Sequence, residues 1–172
     1  MRVTTIGHGT RPIDELVEML VHAGVETLVD VRRFPGSRRQ PQFNQPALAG
    51  SLAAAGIEYR HAEELGGRRS GEPGEERFSC IRMAAFRSYA ARMTTAAWQA
   101  AFATEVAQPA PAFLCAETLW TRCHRRLIAE LLHARGHEVS HLLTPARSEQ
   151  HVSWPVAESR DGTLYLCGEP VA

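Results

Sequence analysis

The stretch FLCAETLWTRCHRR, from Phe113 to Arg126, predicts the fold around it. A short apolar run ends at Cys115, a polar loop follows, and an amphipathic helix begins near Cys123. A strand that leads through a loop into a helix is typical of open α/β folds, which bind ligands beyond the carboxyl ends of their strands. We therefore expect an α/β protein whose functional site includes this turn.

The same order of strand and helix recurs along the chain. Amphipathic helices closed by a glycine lead directly into β-prone runs at 22–31, 54–61 and 134–143, as expected where a left-handed glycine ends a helix. We predict strands at 2–6, 27–31, 57–60, 112–115 and 138–143, and helices at 12–22, 44–56, 81–92, 95–107 and 123–135. This repeat predicts a single α/β domain over residues 1–172, a three-layer sandwich with a mainly parallel central sheet.

Two segments stand apart from this repeat. The stretch 66–79 (GGRRSGEPGEERFS) is polar, glycine-rich and long for a connection, so we expect a mobile flap or an active-site lid. Residues 145–172 form a C-terminal extension, in which the runs 152–154 and 163–167 predict a late β-hairpin around an Asp-Gly turn.

The composition is that of an ordinary soluble globular protein. Of the 172 residues, 44% are hydrophobic and 22% are charged, and no apolar run approaches the length of a membrane span. The amino-terminal sequence MRVTTIGHGT contains no apolar signal segment, so we expect a cytoplasmic protein with no membrane partner. The sequence gives no indication of the oligomeric state.

Charge and cysteine content narrow the choice of partners. The formal net charge is zero, which argues against a broadly basic nucleic-acid surface but leaves nucleic acid open as a partner. All 19 basic residues are arginine, whose planar guanidinium suits phosphate or carboxylate, and no lysine is available for a Schiff base. The four cysteines are few and unevenly spread, so we expect reduced thiols rather than a disulfide scaffold.

Candidate catalytic residues lie within the quoted stretch. Cys115 should end a strand at the carboxyl edge of the sheet, and Cys123 and His124 should begin the next helix. Nearby cations and a helix amino terminus lower a cysteine pKa and so favour a thiolate nucleophile; the alternative is an inert core cysteine. The candidate catalytic residues are Cys115, Cys123, His124 and Glu117, and Cys115 is expected to be the more reactive thiol.

Candidate ligand-binding residues follow the first two strands and the quoted loop. Residues 30–44 contain a run of arginines that should reach the same sheet edge as Cys115. Converging guanidinium groups would bind an anion where the 32–39 loop meets the 123–135 helix; the alternative is a solvated loop paired with the acidic segment 72–76. The candidates are His8, Asp30, Arg32, Arg38, Arg39, Asn44, Arg122 and Arg125, and Arg33 belongs to the same basic run.

A metal site is not predicted. The spacing of Cys115, Cys123 and His124 lacks the short ligand pair that structural zinc sites use. Adjacent residues of a helix point about 100° apart, which makes Cys123 and His124 awkward joint ligands. We therefore predict no metal and no cofactor.

The chain resembles a known family. The segments TIGHGTRPIDELVEML, LVDVRRFPGSRRQPQFN, LGG at 65–67 and LCAE followed by CHRRLIAELL are similar to the domain of unknown function 488 family, from Thr5 to about Leu143. Gly9 stands where that family more usually has serine, so a hydroxyl role is absent there. The family has no established reaction, and the resemblance implies membership without implying an activity.

A looser resemblance is to rhodanese and cysteine-phosphatase-like domains. In those domains too, a strand ending in cysteine leads through an arginine-bearing loop into a helix. Their loops are shorter than the six residues that separate Cys115 from Arg122. The resemblance therefore implies a similar shape rather than a shared mechanism.

Two functions follow from these residues. The first is an enzyme that uses Cys115 or Cys123 on a small anionic substrate bearing phosphate or sulfur. The second is a non-catalytic module that binds a nucleotide or nucleic-acid phosphate through the same arginines. Thiol reactivity distinguishes them, because binding alone needs no thiol of low pKa.

Overall fold

The computed structural model describes residues 1–67 and 70–171. The helices are α1 Ile13–His22, α2 Gln45–Ala54, α3 Ala84–Met93, α4 Ala96–Val106 and α5 Arg125–Ala134. The strands are β1 Arg2–Gly7, β2 Thr27–Asp30, β3 Glu58–His61, β4 Pro111–Cys115, β5 Glu138–Thr144, β6 Arg147–Gln150, β7 Ala157–Arg160, β8 Thr163–Leu166 and β9 Glu169–Pro170. Among these residues, no helix is both long enough and apolar enough to cross a membrane.

The central sheet has six strands in the order β3-β2-β4-β1-β5-β6. Neighbouring strands run parallel except for β5 and β6. Buried side chains form two clusters, one containing residues of α1 and α2 and the other containing residues of α3, α4 and α5. Helices therefore cover both faces, and the predicted α/β sandwich with a mainly parallel sheet is confirmed.

The central position of β4 explains its apolar sequence. This strand lies between β2 and β1, and all five residues of Pro111–Cys115 are buried. Leu114 belongs to the cluster of α1 and α2, whereas Phe113 and Cys115 belong to the cluster of α3, α4 and α5. A strand covered on both faces needs a continuous apolar run, and the chain directs the Cys115 thiol toward α5.

The predicted glycine ends of three helices are confirmed. Gly24, Gly56 and Gly136 have φ values of 69°, 75° and 80°. Each follows the last turn of its helix, and the left-handed conformation lets the chain turn back toward the next strand.

The hairpin predicted in the C-terminal extension is present, but its first strand was predicted in the wrong place. A second, antiparallel sheet has the order β7-β8-β9, and the first strand of its hairpin is Ala157–Arg160 rather than 152–154. Trp154 packs against α5 instead: its backbone N–H donates to Glu130 Oε1 at 2.7 Å, and its ring lies 4.1 Å from the Arg126 guanidinium. The sequence also missed β6, an exposed polar strand at the sheet edge.

A disulfide between Cys80 and Cys167 corrects the expectation of four reduced thiols. These cysteines are 87 residues apart, and the fold brings their Cα atoms to 5.7 Å. Such a long-range pairing depends on tertiary structure and has no local signal in the sequence. Cys115 and Cys123 remain free and are buried.

The segment 66–79 is packed at both ends in its described parts. Gly67 is buried at one end, and Phe78 is fully buried at the other, within the short helical turn Glu75–Phe78. The Ser88 hydroxyl donates to Glu75 Oε2 and holds this turn against α3. Residues 68 and 69 of the predicted flap lie outside the described residues.

Candidate functional site

The carboxyl ends of β1, β2 and β4 meet at one edge of the sheet. Gly7 pairs with Cys115, and Asp30 pairs with Leu114. Beyond the paired residues, the His8 backbone N–H donates to the Cys115 carbonyl at 2.9 Å. A cavity of about 530 Å³ opens above these strand ends and is lined by His8, Gly9, Thr10, Arg32, Arg33, Phe34, Gly36, Ser37, Arg39, Gln40, Gly67, Cys115, Ala116, Glu117, Thr118 and His124.

Asp30 and Arg32 form a buried ion pair beside this cavity. Asp30 is fully buried, and its carboxylate accepts from Arg32 Nε at 2.8 Å and Nη2 at 2.5 Å. Tyr59 also donates to Asp30 Oδ2 at 2.8 Å; burial and this carboxylate raise the pKa of Tyr59, which keeps its hydroxyl a donor. Arg32 Nη2 additionally donates to the Phe43 carbonyl at 2.9 Å. Arg32 is thus occupied in bracing the cavity wall.

His8 is held neutral in the same wall. Its Nε2 lies 3.2 Å from Arg32 Nη1, which can only donate, so Nε2 accepts and Nδ1–H donates to the Gly9 carbonyl at 2.9 Å. Burial, aided by the positive charge of Arg32, lowers the pKa of His8 to about 4. Its ring stacks on Phe43 with the centroids 4.3 Å apart. These contacts give His8 a structural role at the cavity.

His124 lies between the two free thiols. Its Nε2 is 3.1 Å from the Val31 carbonyl, which can only accept, so Nε2 carries a proton and Nδ1 is the nitrogen that gains or loses the second proton. Nδ1 lies 3.9 Å from Cys115 Sγ and 3.7 Å from Cys123 Sγ. We call Cys115, Cys123 and His124 the thiol cluster.

Gly67 presses against the thiol cluster. A Cβ placed on Gly67 would lie only 2.6 Å from His124 Nδ1. A Cβ on Gly66 would lie 2.9 Å from Arg33 Cα. Only glycine permits so close an approach, and the LGG tripeptide thereby fixes the position of the imidazole against the sheet edge.

The two thiols share one favourable site for negative charge. The hydrogen bond to Cys123, together with burial, raises the pKa of the Cys115 thiol. Burial acts to raise the pKa of Cys123, but the Cys115 hydrogen bond and the nearby His124 and Arg125 outweigh burial and lower that pKa. The first proton lost from the pair therefore leaves the charge on Cys123.

Arg125 supports this charge from inside the protein. It is 1% exposed, and its Nε donates to Cys123 Sγ at 3.4 Å. Its Nη2 donates to the Glu117 carbonyl, and its Nη1 lies 3.5 Å from Thr5 Oγ1. This guanidinium is engaged by the protein and does not line the cavity, whereas the sequence predicts that it binds a ligand directly.

The remaining predicted residues divide into cavity and surface positions. Arg39 and Glu117 line the cavity, and Glu117 Oε1 accepts from the Leu119 backbone N–H at 3.2 Å. Asn44 braces the loop, because its Oδ1 accepts from the Ser37 backbone N–H at 2.6 Å. Of the predicted ligand-binding residues, Arg38 and Arg122 are exposed and do not line the cavity.

Three contributors to the site were missed by sequence reasoning. Tyr59 braces Asp30, the Val31 carbonyl orients His124, and Gly67 contacts the His124 ring. The adjacent glycines of the LGG tripeptide were the available signal for the last contact. A backbone carbonyl and a strand tyrosine carry no such signal.

The thiol cluster could also hold a metal ion. Each of its three residues offers one ligand atom, and these atoms all lie within 4.8 Å of one another. Within residues 1–67 and 70–171, no other group of three Cys, His, Asp or Glu side chains meets this condition. The predicted obstacle to joint ligation does not apply, because Cys123 is extended, with φ −114° and ψ 149°, and α5 begins at Arg125. Two sulfur atoms and one imidazole nitrogen are ligands that zinc accepts.

A second buried polar group adjoins Arg125 through Thr5. Thr5 Oγ1 lies 2.7 Å from His141 Nδ1, and His141 Nε2 lies 3.1 Å from His151 Nδ1. His151 Nε2 approaches Glu130 Oε2 at 3.3 Å, at an angle too bent for a good hydrogen bond. We call Thr5, His141, His151 and Glu130 the histidine chain.

Comparison with known proteins identifies a family and no characterised relative. No curated protein and no solved structure matches the chain. The family model described as "Domain of unknown function DUF488" matches residues 12–132. The matched part contains the Asp30–Arg32 pair and the whole thiol cluster, whereas His8, His141 and His151 lie outside it. The chain therefore belongs to the DUF488 family of domains of unknown function.

Proposed function

We propose that the cavity is the active site of a thiol-dependent enzyme that acts on a small anionic substrate. The observation that carries this proposal is the orientation of His124. Because its Nε2–H is held by the Val31 carbonyl, its Nδ1, the nitrogen that exchanges a proton, faces both Cys115 Sγ and Cys123 Sγ. A base within reach of a thiol, itself oriented by a third group, is the arrangement that activates a cysteine nucleophile.

The two thiols have different parts in this proposal. Cys115 lines the cavity and therefore meets the substrate, whereas Cys123 is 4% exposed behind it. Cys123 holds the negative charge beside Arg125 until the Cys115 proton moves to it or to His124 Nδ1. The nucleophile is then the cavity-facing sulfur, and the buried sulfur acts as its charge reservoir.

Arginines on the cavity support an anionic substrate. Arg33 and Arg39 line the cavity, and within residues 1–67 and 70–171 neither guanidinium has a carboxylate partner. Arginine binds carboxylate or phosphate through paired, charge-assisted hydrogen bonds. These two side chains, rather than the internally engaged Arg32 and Arg125, are the proposed substrate-binding groups.

The test is the pH dependence of iodoacetamide labelling, followed separately at Cys115 and Cys123 by peptide mapping. We expect a labelling midpoint below the ~8.5 of a free cysteine for at least one thiol. His124→Ala should move that midpoint upward. Midpoints at or above ~8.5 for both thiols in the unmodified protein would contradict thiol catalysis.

A second candidate function is favoured by Phe34. Its side chain is 63% exposed at the cavity, with the Arg33 guanidinium 5.1 Å from its ring centroid. An exposed aromatic ring beside arginine suits the base and phosphate of a nucleotide or of a single-stranded nucleic acid. Tight nucleotide binding by a protein whose thiols label as ordinary cysteines would favour this function over thiol chemistry.

We propose the cytoplasm as the location of the thiol chemistry. A pair of free thiols suits a reducing compartment, whereas the Cys80–Cys167 disulfide suits an oxidising one. Acid quenching of cells, followed by alkylation and mapping of all four cysteines, tests the proposal. Cys115 and Cys123 recovered fully oxidised from unstressed cells would contradict it.

A further inference from the structure

We propose that Cys115 and Cys123 work as a two-cysteine exchange pair whose substrate is a small anionic disulfide. This inference rests on the proposed function and names its substrate class. In this pair, Cys115 attacks the substrate and Cys123 resolves the resulting mixed disulfide.

The position of the second thiol argues for sulfur chemistry. Cys123 Sγ lies within 4.8 Å of Cys115 Sγ, yet Cys123 does not line the cavity. A buried thiol behind the nucleophile cannot reach a substrate carbon or phosphorus atom. It can reach the Cys115 sulfur, which is the atom that must be attacked to release a sulfur-bound intermediate.

The reaction balances in two displacements. The Cys115 thiolate attacks one sulfur of the substrate disulfide, forms a mixed disulfide and expels the other half as a thiolate. The Cys123 thiolate then attacks Cys115 Sγ, forms the Cys115–Cys123 disulfide and expels the second half as a thiolate. The substrate gains two electrons, the protein dithiol loses two, and a small external thiol reductant restores the dithiol.

Protons follow the hydrogen bonds already present. His124 Nδ1 accepts the proton of the attacking thiol, because Nε2–H remains on the Val31 carbonyl. The expelled thiolates carry the protons away as they leave for solvent. Arg125 Nε, 3.4 Å from Cys123 Sγ, stabilises the resolving thiolate between the two steps.

The arginines on the cavity select the charge of the substrate. Arg33 and Arg39 would bind carboxylates on the two halves of the disulfide, and charge-assisted hydrogen bonds of this kind are the stronger ones in proteins. We expect 3,3′-dithiodipropionate to react about tenfold faster than the neutral 3,3′-dithiodipropanol, each rate being taken relative to a small free thiol. Arg33→Gln with Arg39→Gln should abolish that preference.

The decisive experiment uses the anionic disulfide 5,5′-dithiobis(2-nitrobenzoate), whose released thiolate is coloured. The unmodified protein should release two thiolates per molecule, retain no adduct and show a Cys115–Cys123 disulfide by peptide mapping. Cys123→Ser should release one thiolate and retain the adduct on Cys115. Cys115→Ser should react slowly, because Cys123 is shielded from the cavity.

Three results would overturn the exchange pair. The first is an unmodified protein that retains separate adducts on Cys115 and Cys123. The second is a Cys115→Ser variant that reacts as fast as the unmodified protein. The third is stoichiometric zinc on the purified protein that blocks both thiols until it is chelated, since the thiol cluster would then be a metal site.

Failure of this inference is distinguishable from failure of the proposed function. A low labelling midpoint combined with a retained adduct would preserve the thiol nucleophile and remove the resolving role of Cys123. Midpoints at or above ~8.5 for both thiols would remove the nucleophile itself. Circular dichroism and thermal melting test whether each serine variant is folded, and peptide mapping distinguishes a Cys115–Cys123 disulfide from the Cys80–Cys167 disulfide.

Discussion

The thiol cluster and the histidine chain are both buried polar groups, and Arg125 touches both. In the histidine chain, Arg125 can only donate to Thr5, so the hydroxyl proton faces His141 Nδ1 and each later donor points toward Glu130. Thr5, His141 and His151 are thereby directed at one another, and the last step, from His151 Nε2 to Glu130, lacks a good hydrogen bond. In the thiol cluster, the Val31 carbonyl fixes one imidazole nitrogen and leaves the other facing two thiols at a cavity.

This difference shows what distinguishes a candidate reacting site from a structural one. Burial and polarity are shared by the two groups, so neither property identifies the site. The two groups differ in whether atoms that can still bond or exchange a proton face a solvent-accessible cavity. The thiol cluster has such atoms at Cys115 and His124, whereas the histidine chain is closed by Trp120, whose ring stacks on His141 at 4.0 Å.

The largest expected effect comes from acid, because the cavity wall beside the thiol cluster and the histidine chain each keep one histidine neutral. Burial lowers the pKa of His8 to about 4 and that of His141 to about 3. The unfolded chain, with histidine pKa near ~6.5, binds these protons first, so stability is complete above that pH and falls as the pH drops toward the folded values. We expect the contribution of each of these histidines to lower the free energy of unfolding by about 2 kcal/mol by a pH of about 5.

Urea denaturation at several pH values between about 7 and 5 measures this loss. His141→Phe should remove about half of the pH dependence and leave the part that belongs to His8. A free energy of unfolding that stays constant over this range would show that neither histidine is held neutral.

The second largest effect should follow from His124→Ala. Loss of a positioned general base typically costs at least about 100-fold, so we expect thiol labelling at a pH of about 7 to slow by that factor. Iodoacetamide kinetics with peptide mapping provide the measurement. A reduction of less than about threefold would remove the base role of His124 and weaken the contrast between the two regions.

His141→Phe tests the other side of the comparison. The ring volume is kept, but Thr5 Oγ1 and His151 Nδ1 lose their partner, and unsatisfied buried polar groups cost about 2 kcal/mol in total. That is about 30-fold in the unfolding equilibrium constant. Labelling of Cys115 should change by less than about threefold, and a larger change would mean that the histidine chain takes part in the thiol site.

The smallest effect that we predict concerns Gly67→Ala. The added Cβ would lie 2.6 Å from His124 Nδ1, so the ring must shift and its distances to the two sulfur atoms must change. We expect labelling to slow by about tenfold, since a small misplacement of a catalytic group is costly. Gly36→Ala is the matched control, because Gly36 lines the same cavity and a Cβ there would meet no atom within 4 Å. Equal rates for the two variants would contradict the role assigned to Gly67.

The sequence predicted the sheet well wherever a strand is covered on both faces. Thr27–Asp30 and Pro111–Cys115 are continuous buried runs, and glycine ended three of the four described helices that lead back to the sheet. The sequence failed at the polar edge strand Arg147–Gln150, since its pairing with β5 is a matter of backbone position. The Cys80–Cys167 disulfide was missed for a similar reason, because its pairing spans 87 residues.

The candidate site was predictable in position more than in the roles of its residues. The expected parallel direction of the strands was enough to place Asp30 and Cys115 at the same carboxyl edge of the sheet. The inward course of Arg125 depends on Gly7, where a Cβ would meet the Glu117 carbonyl at 2.0 Å and the Arg125 guanidinium at 2.8 Å. A helix that begins two residues later than predicted changes Cys123 from a helical residue into an extended one beside Cys115.

The Cys80–Cys167 disulfide also gives the chain an unusual mechanical topology. It closes a covalent ring that contains β4 and β5, and β1, which lies outside the ring, is clasped between them. If the two chain ends are pulled apart, the residues within the ring cannot be extended while the disulfide is intact. Its reduction would release about 300 Å of additional chain length. A single-molecule pulling trace would therefore record the redox state of this disulfide as a length.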